Sequence, residues 1–234
     1  MITTVFFDLD GTLLPMDQEV FVKNYLGRMV RKMAPRGYDP DTLVKAVWAG
    51  TGAMVQNDGS ALNETVFWNV FSKFFGRDTR VDAPLFEEFY RVEFQEVRND
   101  CGFNPRAGET IREIKEMGLS VVLATNPLFP AIATYSRAVW AGLNPEDFDL
   151  ITTYENSRYC KPNPDYYREI LGKLNCTGEQ CLMVGNDVTE DMVARDLGCQ
   201  VFLLTDCLIN KEAKDISQYP HGSFPELMDY IRSL

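Results

Sequence analysis

The sequence predicts an α/β fold whose parallel sheet is interrupted, after its first strand, by an all-helical insert. Three observations support this. Five short apolar segments have the length and composition of buried strands. Helical patterns alternate with them, as in βαβ units that build a parallel sheet. Between about Asp17 and Asn99 no convincing strand occurs, and amphipathic helical patterns follow one another instead.

The five predicted strands are rich in apolar and β-branched residues and are bounded by Gly, Asn, Asp or Pro. They cover residues 2–8, 121–125, 149–153, 181–185 and 200–204. The helical patterns between them are GETIREIKEMG, PDYYREILGKL and EDMVARDLG. Gly118 and Gly198 close two of these patterns, as glycine commonly does at the end of a helix.

The insert contains four amphipathic patterns that are separated by breaks containing Pro and Gly. They cover residues 19–33, 40–50, 62–76 and 84–97. The simplest organisation is a core domain made of residues 1–16 and 100–234, with a helical domain made of residues 17–99. We interpret the polar stretch 51–60 as a solvated connection, with a specificity loop as the alternative.

Composition argues against several classes of protein. The chain has 234 residues and a net charge of −11, which disfavours a nucleic-acid binder because phosphates require a basic face. His221 is the only histidine, so a Ser-His hydrolase and a His-rich metal site are disfavoured. We find no signal-peptide pattern, no run long enough to span a membrane and no CxxC pair among six cysteines. We therefore expect a soluble, cytoplasmic protein with reduced thiols.

Polar side chains follow four of the predicted strands, at the edge of a parallel sheet where ligands bind. This set comprises Asp8, Asp10, Thr125, Asn126, Lys161, Asp187 and Asp191. Four carboxylates near one point repel one another and any anionic substrate. A bound Mg²⁺ removes that conflict because it takes oxygen ligands and commonly a substrate phosphate oxygen. One Asp can then serve as a nucleophile and another as a proton donor, which suits phosphoryl transfer.

Four separated motifs resemble those of the haloacid dehalogenase (HAD) superfamily, in the family's order and across the whole core. They are DLDGT, the strand that ends in Thr125, KPNPD and GNDVTED, and the helical insert resembles the family's C1-type cap. The resemblance implies a Rossmann-like core with Asp8 as the nucleophile that forms an aspartyl-phosphate and Asp10 as general acid, then base. It also implies that Thr125 and Lys161 hold the phosphoryl group, and Asn126 is predicted as a further substrate-binding residue.

The resemblance further implies a Mg²⁺ site formed by Asp8, the backbone carbonyl of Asp10 and Asp187, with Asp191 in or near the shell. Many relatives have Gly-Asp in the fourth motif, whereas here Asn186 follows the glycine. We assign Asp187 as the metal-binding acid because Asp191 then falls four residues later. If Asn186 takes that place, the assignment shifts by one residue and the affinity for metal falls.

These residues predict a Mg²⁺-dependent phosphatase that acts on a small phosphorylated metabolite, because a helical cap excludes large substrates. A phosphomutase of the same superfamily shares all four motifs and is the alternative. A dehalogenase has no use for Asp10 or for Asp187. A catalytically silent phosphate-binding module is disfavoured because Asp8, Asp10 and Lys161 are all present. Which phosphate ester is the substrate, and whether the protein is oligomeric, stay open, and no nucleic-acid or membrane partner is expected.

Overall fold

The computed structural model describes residues 1–234 and contains one sheet of six parallel strands. These are β1 (Thr4–Phe7), β2 (Ser120–Leu123), β3 (Leu150–Ile151), β4 (Cys181–Gly185), β5 (Gln200–Leu204) and β6 (His221–Gly222). Their order is β3-β2-β1-β4-β5-β6, with every neighbouring pair parallel. The strand order therefore reverses at β1, and in open parallel sheets such a switch point is where ligands bind.

Eight α-helices accompany the sheet. They are α1 (Gln18–Met33), α2 (Pro40–Val55), α3 (Asn63–Phe75), α4 (Ala83–Arg91), α5 (Pro105–Glu116), α6 (Ala131–Trp140), α7 (Pro164–Leu174) and α8 (Phe224–Ser233). The first four, with short 3₁₀ segments, form the insert that follows β1, and α5 completes the connection to β2. The fold class predicted from the sequence, a parallel α/β core with a helical insert after the first strand, is thereby confirmed.

The two faces of the sheet are covered by different hydrophobic clusters, as alternation along a strand requires. Val5 and Phe7 point into one cluster, and Phe6 points into the other with Tyr166 and Tyr167 of α7. The first cluster contains 40 buried residues and continues from the sheet into the helices of the insert. Core and insert are therefore packed against each other rather than separated by solvent.

The chain enters and leaves the insert through two adjacent segments. Gly102 N donates to Pro15 O at 2.7 Å, and Met16 forms an antiparallel bridge with Cys101. The last 3₁₀ segment of the insert, Glu93–Asp100, ends just before this contact. The contact between these two segments is consistent with domain boundaries at residues 16/17 and 99/100. The boundaries themselves stay a prediction.

Several elements differ from the sequence prediction. Strands β1, β2 and β3 are shorter than predicted, and β6, which contains His221, was not predicted. Residues 51–55 of the stretch interpreted as a connection continue α2, because Met54 is buried in the interior of the insert. Two helices, α6 and α8, were also missed. The EDMVARDLG pattern forms a 3₁₀ segment, Met192–Leu197, rather than an α-helix.

Candidate active site

Strand register brings the ends of β1, β2 and β4 to one edge of the sheet. Phe7 of β1 is level with Leu123 of β2 and with Val184 of β4. The polar residues that follow these strands therefore emerge side by side, as parallel strands predict.

Lys161 reaches this edge from beneath, just before α7. Its Nζ donates to Asp8 Oδ1 at 2.9 Å and to Asp191 Oδ1 at 2.7 Å, and the residue is only 1% exposed. Burial by itself lowers the pKa of Lys161, but the carboxylates of Asp191 and Asp8 raise it well above its usual value. Lys161 is therefore a permanently charged group that joins the first and fourth motifs.

Asp191 uses both carboxylate oxygens within the protein. Oδ1 accepts from Lys161, and Oδ2 accepts from Asp187 N at 3.0 Å. Burial raises the pKa of Asp191 to about 6, against the opposing effect of Lys161. The carboxylate lies directly over Gly185, where an added Cβ would come within 2.0 Å of Oδ2. Glycine is required there because the carboxylate occupies the space of a side chain.

Asn186, the first residue after β4, lies beside the first motif. The Thr12 hydroxyl lies 2.9 Å from Asn186 Oδ1 and 3.2 Å from Asp8 Oδ2, and Asn186 Nδ2 donates to Cys207 O. Gly11 has φ +91°, and an added Cβ would approach Asn186 Nδ2 to 2.3 Å. The amide of Asn186 therefore fixes the loop that follows Asp8.

Asp187 points one oxygen back into its own loop and leaves the other free. Oδ1 accepts from Thr189 N at 2.7 Å and from Glu190 N at 2.9 Å. No hydrogen bond involves Oδ2, and the residue lines the cavity described below. Asn186 and Asp187 thus both face the site, but only Asp187 offers an oxygen that the protein does not already use.

Arg137 on α6 is a residue that the sequence interpretation missed. Its side chain is fully buried, its guanidinium pairs with Asp10 Oδ2, and it stacks 4.3 Å above the Phe129 ring. Burial raises the pKa of Asp10, and Arg137 opposes that effect. The signal available in the sequence is one arginine among the small and apolar residues of AIATYSRAVW. It could have been noticed, because charged residues are rarely fully buried unless paired.

Thr125 and Asn126 lie where the second strand was predicted to end, two and three residues beyond β2. The Thr125 carbonyl accepts from Thr152 Oγ1 and from Tyr166 OH, while its own hydroxyl has no partner in the protein. Asn126 Nδ2 donates to Glu190 Oε2 at 3.0 Å, and its buried Oδ1 has no partner. Burial raises the pKa of Glu190 to about 7.

The structure brings all seven sequence-predicted site residues together. Six of them line one cavity of about 190 Å³, and Lys161 contacts that cavity through Asp8. Further lining residues that were not predicted include Glu190 and Lys211 from the core, and Gln18, Phe21 and Val22 from α1. The insert therefore forms part of the site's wall. We call this space the catalytic cavity.

The donor atoms of this cavity fit Mg²⁺. They are oxygens, and two of them, Asp10 Oδ1 and Asn126 Oδ1, are buried without a hydrogen-bond partner. No group of three or more His, Cys, Asp or Glu residues is arranged closely enough to enclose a metal. Mg²⁺ does not require such a cage, since it commonly uses one or two carboxylates together with water and substrate phosphate oxygens.

Comparison with known proteins gives a family for this arrangement. Residues 2–198 match the haloacid dehalogenase-like hydrolases. The chain belongs to this family. It is a hydrolase, and the resemblance based on the four motifs is confirmed. Among curated relatives, it is 24% identical over 237 residues to the glyceraldehyde 3-phosphate phosphatase of Methanocaldococcus jannaschii, covering 100% of this chain and 99% of that protein.

Solved structures of this family share the fold over the full length. A HAD phosphatase from Thermococcus onnurineus superposes with a TM-score of 0.59 at 18% identity, covering 98% of both chains. A 2-haloacid dehalogenase from Pseudomonas syringae pv. tomato superposes with a TM-score of 0.65 at 20% identity, covering 100% of this chain and 99% of that one. At these identities the likeness shows the HAD fold alone. None of the helices in this HAD hydrolase is both long and apolar enough to cross a membrane.

Proposed function

We propose that this HAD hydrolase is a Mg²⁺-dependent phosphatase that removes phosphate from a small phosphate monoester through an aspartyl-phosphate. The observation that carries this proposal is the arrangement of two neighbouring carboxylates in different surroundings. Asp8 is paired with Lys161 beneath the cavity, and Asp10 is paired with Arg137 from another side. When two neighbouring carboxyl groups have different surroundings, one can serve as the nucleophile and the other as the proton donor.

In the first half of the reaction, a carboxylate oxygen of Asp8 attacks phosphorus while the bond from phosphorus to the ester oxygen breaks. Asp10 gives its proton to the departing oxygen, and Thr125, Asn126 and Lys161 bind the phosphoryl oxygens. In the second half, Asp10 takes a proton from water, the water oxygen attacks phosphorus, and the carboxylate of Asp8 is released with inorganic phosphate. Burial raises the pKa of Asp10 although Arg137 opposes that effect, and a raised pKa suits a carboxyl group that gives up and takes back a proton.

Asp8, the carbonyl of Asp10 and Asp187 would hold Mg²⁺, which when bound neutralises negative charge on the phosphoryl oxygens. Asp187 is proposed over Asn186 because its Oδ2 is free. Asp191 already uses both oxygens on Lys161 and Asp187 N, so we propose that it acts near the metal by holding these two groups. The Asp10 and Asp187 carboxylates also weigh against a dehalogenase, whose reaction has no use for them.

The substrate is proposed to be a small phosphorylated metabolite. The M. jannaschii relative is named for such a substrate, which supports the general class but not its identity. The catalytic cavity has a volume of about 190 Å³ and is lined on one side by α1, which suits a small ester better than a phosphoprotein. A cytoplasmic location stays a prediction from the sequence.

Phosphate release from a panel of small phosphate monoesters tests this function directly. We expect release that requires Mg²⁺, stops on addition of EDTA and falls by at least about 10³-fold in Asp8→Asn, since the nucleophile is removed. Asp229→Asn, an exposed position on α8 outside the cavity, is the matched control and should retain wild-type rates. Asp8→Asn protein that is folded and as active as the wild type would refute the proposal.

A further inference from the structure

A second, larger cavity adjoins the catalytic cavity between the insert and the core. Its volume is about 360 Å³, and it is bounded by α1 to α4 on one side and by residues 128–132 and 154–155 on the other. We call it the cap chamber. It shares the side chains of Val22, Leu128 and Phe129 with the catalytic cavity. A molecule that extends from the catalytic cavity past these three residues would enter the cap chamber.

One face of α1 lines both spaces in succession. Gln18, Phe21 and Val22 line the catalytic cavity, and the residues that follow on the same face line the cap chamber, from Val22 through Tyr25 to Met29. Positions three or four residues apart lie on one helix face. At 1.5 Å per residue, this face extends about 16 Å from Gln18 to Met29. The catalytic cavity and the cap chamber therefore follow each other along α1, and the cap chamber is the one that lies away from Asp8.

The chemistry of the cap chamber differs from that of the catalytic cavity. Most of its lining is hydrophobic, with aromatic rings from all four insert α-helices and from the core, among them Tyr25, Trp48, Phe67, Phe86 and Phe129. The lining contains no Lys, Arg or His, and its only charged side chains are Glu64, Glu87 and Glu155. A carboxylate or a second phosphate placed there would meet three like charges and no cationic side chain in the lining.

Glu64 is the one carboxylate of this group that is partly buried and has no hydrogen-bond partner. Both oxygens of Glu155 accept from Ala131 N, at the start of α6, and Glu87 is exposed at the rim. Glu64 is partly buried, and its side chain forms no hydrogen bond or ion pair. Burial raises the pKa of Glu64, the Glu155 carboxylate adds to that effect, and Arg80 opposes it without cancelling it. A cation bound beside Glu64 would offset both the cost of burying its charge and the repulsion from Glu155. Aromatic faces also attract cations.

Resting on the phosphatase function proposed above, we propose that the cap chamber binds the substrate's leaving group and selects one with an apolar body and a protonated amine. Asp8 and Lys161 would hold the phosphoryl end, while the aromatic walls and Glu64 would hold the amine end. Burial of the apolar body supplies affinity in proportion to the area removed from water. Leaving groups that carry a carboxylate or a second phosphate are disfavoured by charge.

A matched pair of aryl phosphates tests this selection. The two substrates are 4-(aminomethyl)phenyl phosphate and 4-(carboxymethyl)phenyl phosphate, which are similar in size and opposite in charge, and acetyl phosphate is the small reference substrate. We expect the wild-type kcat/KM to favour the amine over the carboxylate by at least about tenfold. Ala83→Leu, which fills part of the cap chamber, should lower kcat/KM for both aryl esters relative to acetyl phosphate.

A charge-removing variant assigns the preference to Glu64. In Glu64→Gln the ratio of the two kcat/KM values should fall to about threefold or less, whereas Glu116→Gln, an exposed position at the end of α5, should keep the wild-type ratio. Acetyl phosphate hydrolysis with a ratio near one, or with the carboxylate preferred, would overturn the inference about the cap chamber and leave the phosphatase function standing. Failure to hydrolyse acetyl phosphate and both aryl esters would instead refute the phosphatase function on which the inference rests.

Discussion

At the scale of single residues, the most informative contact is the pair of Arg137 and Asp10. Arg137 is completely buried, and Asp10 keeps one carboxylate oxygen, Oδ1, without any partner. A buried pair of charges contributes little net stability compared with an apolar pair, but removal of one member leaves the other uncompensated. The pair therefore fixes where Asp10 points, and we regard Arg137 as a positioning residue.

Loss of Arg137 should be strongly destabilising, and the loss should depend on Asp10. We expect Arg137→Met to lower the free energy of unfolding by about 3 kcal/mol, because it leaves a buried carboxylate without its partner. In an Asp10→Asn background the same change should lower it by clearly less. A double-mutant cycle followed by urea denaturation measures this coupling. Additive losses would show that the two side chains do not interact.

At the scale of elements, the insert is held together partly by a polar contact between its helices. Asp82, just before α4, accepts from Tyr38 OH and from Arg77, each at 2.6 Å. The hydrogen bond from Tyr38, followed by Arg77, holds the pKa of Asp82 below its usual value of 3.8. Since the folded-state pKa is the lower one, the contact stabilises the insert at pH values above 3.8 and is lost as the pH falls below it.

This contact predicts a specific sensitivity to acid. Wild-type protein should lose stability between pH 5 and about pH 3, in part because Asp82 becomes protonated. The Asp82→Asn variant should be less stable than the wild type at pH 7. It should lose less stability than the wild type between pH 5 and about pH 3. Urea midpoints at both ends of the interval measure the difference. Asp41→Asn, an exposed acid on α2 that accepts no hydrogen bond, should show the wild-type pH dependence. Identical pH dependence for Asp82→Asn and wild type would contradict the prediction.

At the scale of the whole molecule, acidic charge is concentrated where the proposed function requires an anion to bind. The net charge is −11, and Asp8, Asp10, Asp187, Glu190 and Asp191 line one cavity. Lys161 and Arg137 form ion pairs with three of these carboxylates, those of Asp8, Asp191 and Asp10. Lys211 is the only cationic side chain in the lining itself, so negative charge remains in excess. A divalent cation in this cavity would therefore stabilise the folded chain as well as enable phosphate to bind.

Mg²⁺ should raise the thermal stability of the enzyme without any substrate. At a Mg²⁺ concentration about 100 times its Kd, the free energy of unfolding should rise by about 2.7 kcal/mol. For a chain of this size that corresponds to a Tm increase of about 5–10 °C. NaCl at matched ionic strength should not reproduce the increase. We expect Asp187→Asn to lose most of the Mg²⁺ effect and Asn186→Ala to keep it, whatever their Tm values without metal. The reverse pattern would move the metal-binding place to Asn186.

Much of the core could be predicted because its signals are local. Strands 181–185 and 200–204, and the helix at 164–174, have the predicted bounds, since their apolar runs begin and end at Gly, Pro or polar residues. The helix α6 was missed, and Arg137 with it. Its sequence has small residues and no side-chain cap, so its helical state depends on packing against the core.

The sequence by itself determined the family, the parallel sheet with its helical insert, and the seven polar residues at the strand ends. These follow from short motifs and from the rule that parallel strands open at one edge. Only the tertiary structure decided that Arg137 pairs with Asp10 and that Asn186 binds Thr12. It also decided that α1 lines both the catalytic cavity and the cap chamber, whose mostly apolar lining includes three glutamates. Those contacts join residues that are far apart in the chain, and their partners are set by how the insert and the core pack together.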